Sequence, residues 1–456
     1  MSRHLESRDP ATGALIATHP IPTPEALEAL LARADSATRA YRETSMAARV
    51  TFLLRVAELL TQEAELHAKT MALEMGKPLA QGRAEVEKCA WVLRHYAEQA
   101  PSLLAPELIA TEAKKSYVRL DPLGLVLAIM PWNFPFWQFF RCAAPALLVG
   151  DGLLLKHASN VGGCALAIES IFARAGLPSG LVTTLLVEPD AVPGLIADPR
   201  VAAVTLTGSE RAGAEVAALA GRALKKTVLE LGGSDAFIVL ADADVKKAAE
   251  IAARARVINS GQSCIAAKRF ILDAAIAPAF LGEMSACLAR LKVGHPLEPG
   301  VEIGPLARPD LRDTLHRQVV ESMKLGARLW TGGVIPEGPG AFYPPTLLSE
   351  VRAPMPVWAE ETFGPVAAAQ IVNGAEAAIA AANDSAYGLG AAIFSADLAK
   401  AEQLAARLDC GAVFINAMVK SDPRLPFGGV KRSGYGRELA WHGLRELANQ
   451  KTVWVD

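Results

Sequence analysis

Cysteine is scarce and scattered. The six residues Cys89, Cys142, Cys164, Cys264, Cys287 and Cys410 form no CxxC pair, which argues against a disulfide framework or a structural zinc site. The eight histidines include no HExxH, so the sequence offers no metal centre. Long apolar runs are also missing. Stretches such as Gly124 to Met130 and Ala143 to Val149 fall far short of the roughly 18 apolar residues of a membrane span. Residues 1–9 are charged and carry no apolar core of a secretion signal, and the expectation is a cytoplasmic protein. No excess of one charge exists: 46 Lys+Arg against 48 Asp+Glu leave a net charge of −2, which removes the electrostatic reason to expect nucleic acid. Repeats and low-complexity tracts are absent.

What is present is a chain of 456 residues, 51% of them hydrophobic. That is long enough for two large domains or lobes. The first hundred residues read as helices: Thr23 before Pro24 and Glu25 is an N-terminal cap, another helix starts after Ser45, and a third covers about Arg83 to Gln99. From Tyr117 onward, short apolar runs alternate with Ala/Leu-rich stretches. Leu125 to Met130, Leu153 to Lys156, Val201 to Leu206, Thr227 to Leu231 and Phe237 to Leu240 are continuously apolar, as buried parallel strands are. Lys268 to Leu272, Ala367 to Ile371, Ala391 to Phe394 and Ala412 to Asn416 continue the pattern. Thr452 to Val455 is a β-type tail whose edge needs a partner.

Four segments carry possible chemistry. Cys264 ends the small, polar turn Asn259-Ser260-Gly261-Gln262-Ser263, where a nucleophile and a packing thiol are both admissible. Glu230 precedes Leu231-Gly232-Gly233-Ser234, and is either a base approached closely by other backbone or an acid at a surface turn. Asn133, in Pro131-Trp132-Asn133-Phe134-Pro135, offers an uncharged amide for an oxyanion or else satisfies its own turn. Thr207-Gly208-Ser209-Glu210-Arg211-Ala212-Gly213 leads from a strand into a helix, where backbone N–H groups can hold a pyrophosphate. It has neither a GxGxxG fingerprint nor a P-loop lysine.

In this order the four segments resemble the aldehyde dehydrogenase superfamily, and the likeness runs along the whole chain. Glu361-Thr362-Phe363-Gly364-Pro365 and Pro426 to Gly434 match further motifs of that family. The resemblance implies an α/β architecture: a Rossmann-like cofactor-binding domain over 1–105 and 124–230, a catalytic domain over 231–432, and a β oligomerisation flap over 106–123 and 446–456. It implies Cys264 as nucleophile, Glu230 as general base and Asn133 as oxyanion donor. Trp132, Lys156, Ser159, Gly208, Ser209, Gly213, Leu231, Glu361 and Phe363 would hold NAD or NADP. Ser159, where many NAD-preferring relatives have Glu, leaves room for a 2′-phosphate.

Arg141, eight residues after Asn133, matches an arginine by which succinate semialdehyde dehydrogenases bind the substrate carboxylate. From the residues alone a surface ion pair is an equal alternative. Ile258 stands where some of those enzymes carry a second arginine, so Ser421 and Arg424 are candidates for the other polar contacts. The sequence is most similar to the compact bacterial type. The implied reaction is NAD(P)-dependent oxidation of succinate semialdehyde to succinate, with glutarate semialdehyde or an aliphatic aldehyde as alternative substrates. The implied assembly is a homodimer or tetramer, with neither membrane nor nucleic acid as partner.

Overall fold

The computed structural model describes residues 4–456. Contrary to the all-helical expectation for the first hundred residues, His4–Arg8 and Leu15–Pro20 pair as an antiparallel hairpin. Ser7 pins the hairpin to the helices behind it, its hydroxyl donating to Glu74 (2.5 Å). The helices Pro24–Tyr41 and Met46–Gln62 start at Thr23 and Ser45, whose side chains accept the N–H groups of Ala26 and Ala48.

The elements that build the site are α1 (Leu79–Leu103), β1 (Leu125–Met130), α2 (Trp137–Val149), β2 (Gly152–His157), β3 (Val182–Thr184), β4 (Val201–Thr207), α3 (Glu210–Arg222), β5 (Lys226–Glu230), β6 (Asp235–Val239), α4 (Val245–Val257) and β7 (Ala267–Asp273). The first sheet has the order β5-β4-β1-β2-β3, all parallel, with Gly434–Tyr435 added antiparallel beside β5. The order reverses between β1 and β4. In an open α/β sheet the carboxyl ends of the strands at such a reversal frame a ligand crevice.

A second sheet of seven strands contains β6 and β7 at its centre, between Val366–Val372 on one side and Gly390–Phe394 on the other. Both sheets are covered by helices, which explains why their strands are apolar on both faces. A third, three-stranded sheet joins Glu107–Leu108, Lys115–Pro122 and Ala448–Val455. The C-terminal tail therefore finds its partner within the chain, Val455 lying opposite Lys115, while its outer edge stays unpaired.

Helix α2 is buried at every one of its 13 positions. An apolar helix in such a place is ordinary core, but this one carries Gln138 and Arg141. Polar groups so placed must be satisfied locally, and their partners lead into the site.

Candidate active site

Cys264 follows a turn with an unusual backbone. Asn259, Ser260 and Gly261 all have positive φ, at 55°, 54° and 76°. Gly261 is suited to this by type and Asn259 tolerates it, whereas Ser260 is not. It also touches the opposite loop: a Cβ there would lie 2.3 Å from the Gly364 carbonyl carbon. The buried guanidinium of Arg256, in the last turn of α4, braces the two loops by donating to the carbonyls of Gly261 (2.7 Å), Gly364 (2.6 Å) and Ala267 (3.0 Å). Lys268, buried on β7, donates to the carbonyls of Ser263 (2.9 Å) and Cys264 (2.8 Å). The thiol is thus held by the backbone around it.

Burial pushes the Cys264 thiol up to about 12, against the pull of Arg141 and Lys268. Proton removal has to accompany attack.

Asn133 sits just beyond β1. Its Oδ1 accepts from Gln138 Nε2 (3.0 Å), which fixes the amide so that Nδ2 donates to the Gln262 carbonyl (3.0 Å), two residues from Cys264. Its own carbonyl accepts from Asn259 Nδ2 (2.6 Å) and Lys77 Nζ (2.9 Å). Lys77 is buried in an ion pair with Glu85, and Glu85 accepts the N–H groups of Phe136 and Trp137 (2.9 and 3.0 Å) at the start of α2. A carboxylate there complements the positive end of the helix. His157, at the end of β2, ties in the far side of the turn: Nε2–H donates to the Pro135 carbonyl (2.9 Å), while Nδ1 accepts from Ala158 N–H (3.0 Å).

Glu230 ends β5, 2% exposed, with neither carboxylate oxygen hydrogen-bonded. Burial, and secondarily the negative charge of Glu438, hold its carboxyl well above the usual range, with Arg141 opposing. The Pro426 to Gly434 motif explains itself here, since a Cβ on Gly428 would meet Glu230 Oε1 at 2.7 Å. Arg141 is not at the surface: it pairs with the buried Glu438, donates to Thr207 Oγ1 (3.0 Å) and lies 5.0 Å from the centre of the Phe427 ring.

Two cavities meet at Cys264. The larger, about 440 Å³, is walled by α1 and α2 residues, Ile258, Phe427 and Ser421, and includes Arg141. The smaller, about 200 Å³, lies at the strand-order reversal and is lined by Trp132, Asn133, Gly208, Ser209, Leu231, Glu361 and Phe363 among others. Trp132 and Phe363 meet edge to face there (5.6 Å). Ser209 caps α3, accepting from Ala212 N–H (3.3 Å), and Gly213 in its first turn packs against Leu231. Glu361 accepts from Gly233 N–H (2.9 Å) and pairs with Lys268 (3.5 Å).

Lys156 and Ser159, on β2 and the turn after it, fall outside both linings. Lys156 is buried and, among the described residues, has no ion-pair or hydrogen-bond partner. A dinucleotide fits these features: a helix N-terminus at the crevice, an aromatic pair, and a buried cation for a polar ligand. Arg424 stands apart, exposed and paired with Asp422 (2.8 Å) over the Trp91 ring (5.6 Å).

Sequence reasoning missed the supporting residues Lys77, Glu85, Gln138, Arg256, Asn259 and Glu438. The one available signal was a polar residue inside an apolar helical pattern, as at Gln138.

The aldehyde dehydrogenase family model matches residues 1–453. A probable succinate-semialdehyde dehydrogenase [NADP(+)] of Synechocystis sp. is 48% identical over 447 residues, 98% of each chain. The succinate semialdehyde dehydrogenase [NAD(P)+] of Escherichia coli is 48% identical over 453 residues, 99% of this chain and 98% of its own. The crystal structure of succinic semialdehyde dehydrogenase from Streptococcus pyogenes in complex with NADP+ superposes with a TM-score of 0.97 at 36% identity, covering 99% of both chains. Matched by the family model over nearly its whole length, and by relatives at 48% identity, the chain belongs to the aldehyde dehydrogenase family.

Proposed function

We propose that this enzyme oxidises succinate semialdehyde to succinate with NAD or NADP. The observation that carries the reading is the meeting of the two cavities at Cys264, one bordered by cationic groups and the other suited to a dinucleotide. The names and cofactors of relatives at 48% identity support it.

In this reading the Cys264 S–H bond breaks, its proton passing to the ionised Glu230 carboxylate and on to solvent, as Sγ bonds to the aldehyde carbon. The resulting oxyanion takes hydrogen bonds from Asn133 Nδ2 and a backbone N–H of the nucleophile turn. A dinucleotide held in the smaller cavity would supply the acceptor for the hydride that leaves the aldehyde carbon, and Cys264 then carries the acyl group as a thioester. Glu230 then takes a proton from water, the water oxygen bonds to the acyl carbon, the C–S bond breaks, and the carboxylate leaves. Lys156, Ser159, Trp132, Phe363, Glu361, Leu231 and the Gly208 to Gly213 turn would hold the dinucleotide. Arg141 supplies positive potential beside the reacting centre, already shared with Glu438.

The chain would work in the cytoplasm. No helix among the described residues is long and apolar enough to cross a membrane. The open edge of Ala448–Val455 supports a homodimer or tetramer. Initial rates of cofactor reduction with succinate semialdehyde, glutarate semialdehyde and butanal, each with NAD and NADP, test the substrate. The highest kcat/KM is expected for succinate semialdehyde, and equal values for it and butanal would overturn the reading.

A further inference from the structure

Residues Gln81, Ala84, Glu85 and Lys88 of α1 recur at helical spacing and together face the larger cavity. Each cation in that wall has a different environment. Lys77 is paired with Glu85, and Arg141 with Glu438. Arg254 and Lys420 are exposed, their charges in water. Lys88 alone is half-buried without a carboxylate partner among the described residues. Its ammonium donates to Ser421 Oγ (2.7 Å) and lies 4.2 Å from the centre of the Trp137 ring. The neighbouring acid, Asp422, is engaged by Arg424 instead (2.8 Å). Ser421, having accepted from Lys88, keeps its own O–H proton to donate.

Resting on the substrate reading above, we propose that Lys88 is the residue that selects an acidic aldehyde. Its ammonium, with the Ser421 hydroxyl beside it, receives the carboxylate at the end of the substrate remote from Cys264. Arg141, which sequence resemblance puts forward for this role, lines the same cavity but shares its charge with the buried Glu438, so a carboxylate there gains from a second cation. Lys88 has no such competitor. Burial and the nearby Arg141 pull its ammonium down to about 8, with Cys89, Glu85 and Asp422 opposing through space, so an incoming carboxylate gives the charge a direct partner. The role is positioning and specificity, since Lys88 touches no reacting atom.

The test compares Lys88→Met and Lys88→Arg with the parent enzyme, using succinate semialdehyde and butanal. A charge-assisted hydrogen bond lost on one substrate and absent on the other predicts a rise of roughly 10- to 100-fold in KM for the semialdehyde. Its kcat should fall less than about threefold and the KM for butanal should not rise, the Met replacement keeping the stem's apolar contacts. Lys88→Arg should recover most of the semialdehyde KM. A preference for the semialdehyde that survives in Lys88→Met, or equal losses on both aldehydes, would overturn the assignment. A parent enzyme without any such preference would instead overturn the substrate reading.

Discussion

Glu230 is a carboxylate kept out of water with no donor to stabilise its charge. A base in that state resists ionisation, and once ionised it is strong. Because its pKa is raised, the protonated, inactive form persists to higher pH than for an ordinary glutamate. Turnover limited by thioester hydrolysis should therefore still rise with pH above the range in which an ordinary glutamate has finished ionising. Glu230→Gln should keep a rapid burst of reduced cofactor, slow the steady state by about 100-fold or more, and flatten that pH rise. Cys264→Ala should abolish burst and turnover alike. Stopped-flow absorbance of the reduced cofactor checks both, and a burst from the Cys264 variant would refute its role as nucleophile. These residues were legible because each sits in a short segment whose composition is wrong for plain packing. Glu438 was not: it acts on Glu230 through space, and nothing near it in sequence hints at Arg141.

At the scale of elements, the strands were read well where both faces are buried. Leu125–Met130 has the expected bounds, and β4 runs one residue further than its apolar run. Short strands such as Val182–Thr184, and the hairpin over His4–Arg8 and Leu15–Pro20, were not found. Their pairing is imposed by neighbours rather than by their own pattern. His157 shows the same limit. It has no role in a linear reading, yet it joins the end of β2 to the oxyanion turn. Burial depresses it to about 4. The unfolded chain takes up the proton near 6.5 while the folded one refuses it, so stability is lost as pH falls from about 6.5 to 4, with a limit of about 3 kcal/mol from this group. Chemical denaturation of the parent and His157→Gln at pH 7.5 and 5 should show a smaller pH effect in the variant. An equal effect in both would refute this account.

For the whole molecule, the two sheets bring the candidate site together at their junction: β1 and β4 lead into the Asn133 turn and the crevice, β5 ends in Glu230, and the loop before β7 carries Cys264. The third sheet lies outside this arrangement. Its last strand leaves a row of backbone groups unpaired, flanked by Trp454 and Val455, which are 46% and 44% exposed. Such an edge invites a second chain. Light scattering coupled to gel filtration at micromolar concentration should return two or four chains, and a monomer would contradict the assembly.

The thiol stands where two chambers meet, with Gln138 the other residue common to both walls. Carbon cargo and electron carrier therefore need not queue at one doorway. The spent acid can drain through the broader chamber while the reduced carrier is still seated in the narrower one. A molecule that plugs the broad side would starve the enzyme of aldehyde without evicting its carrier.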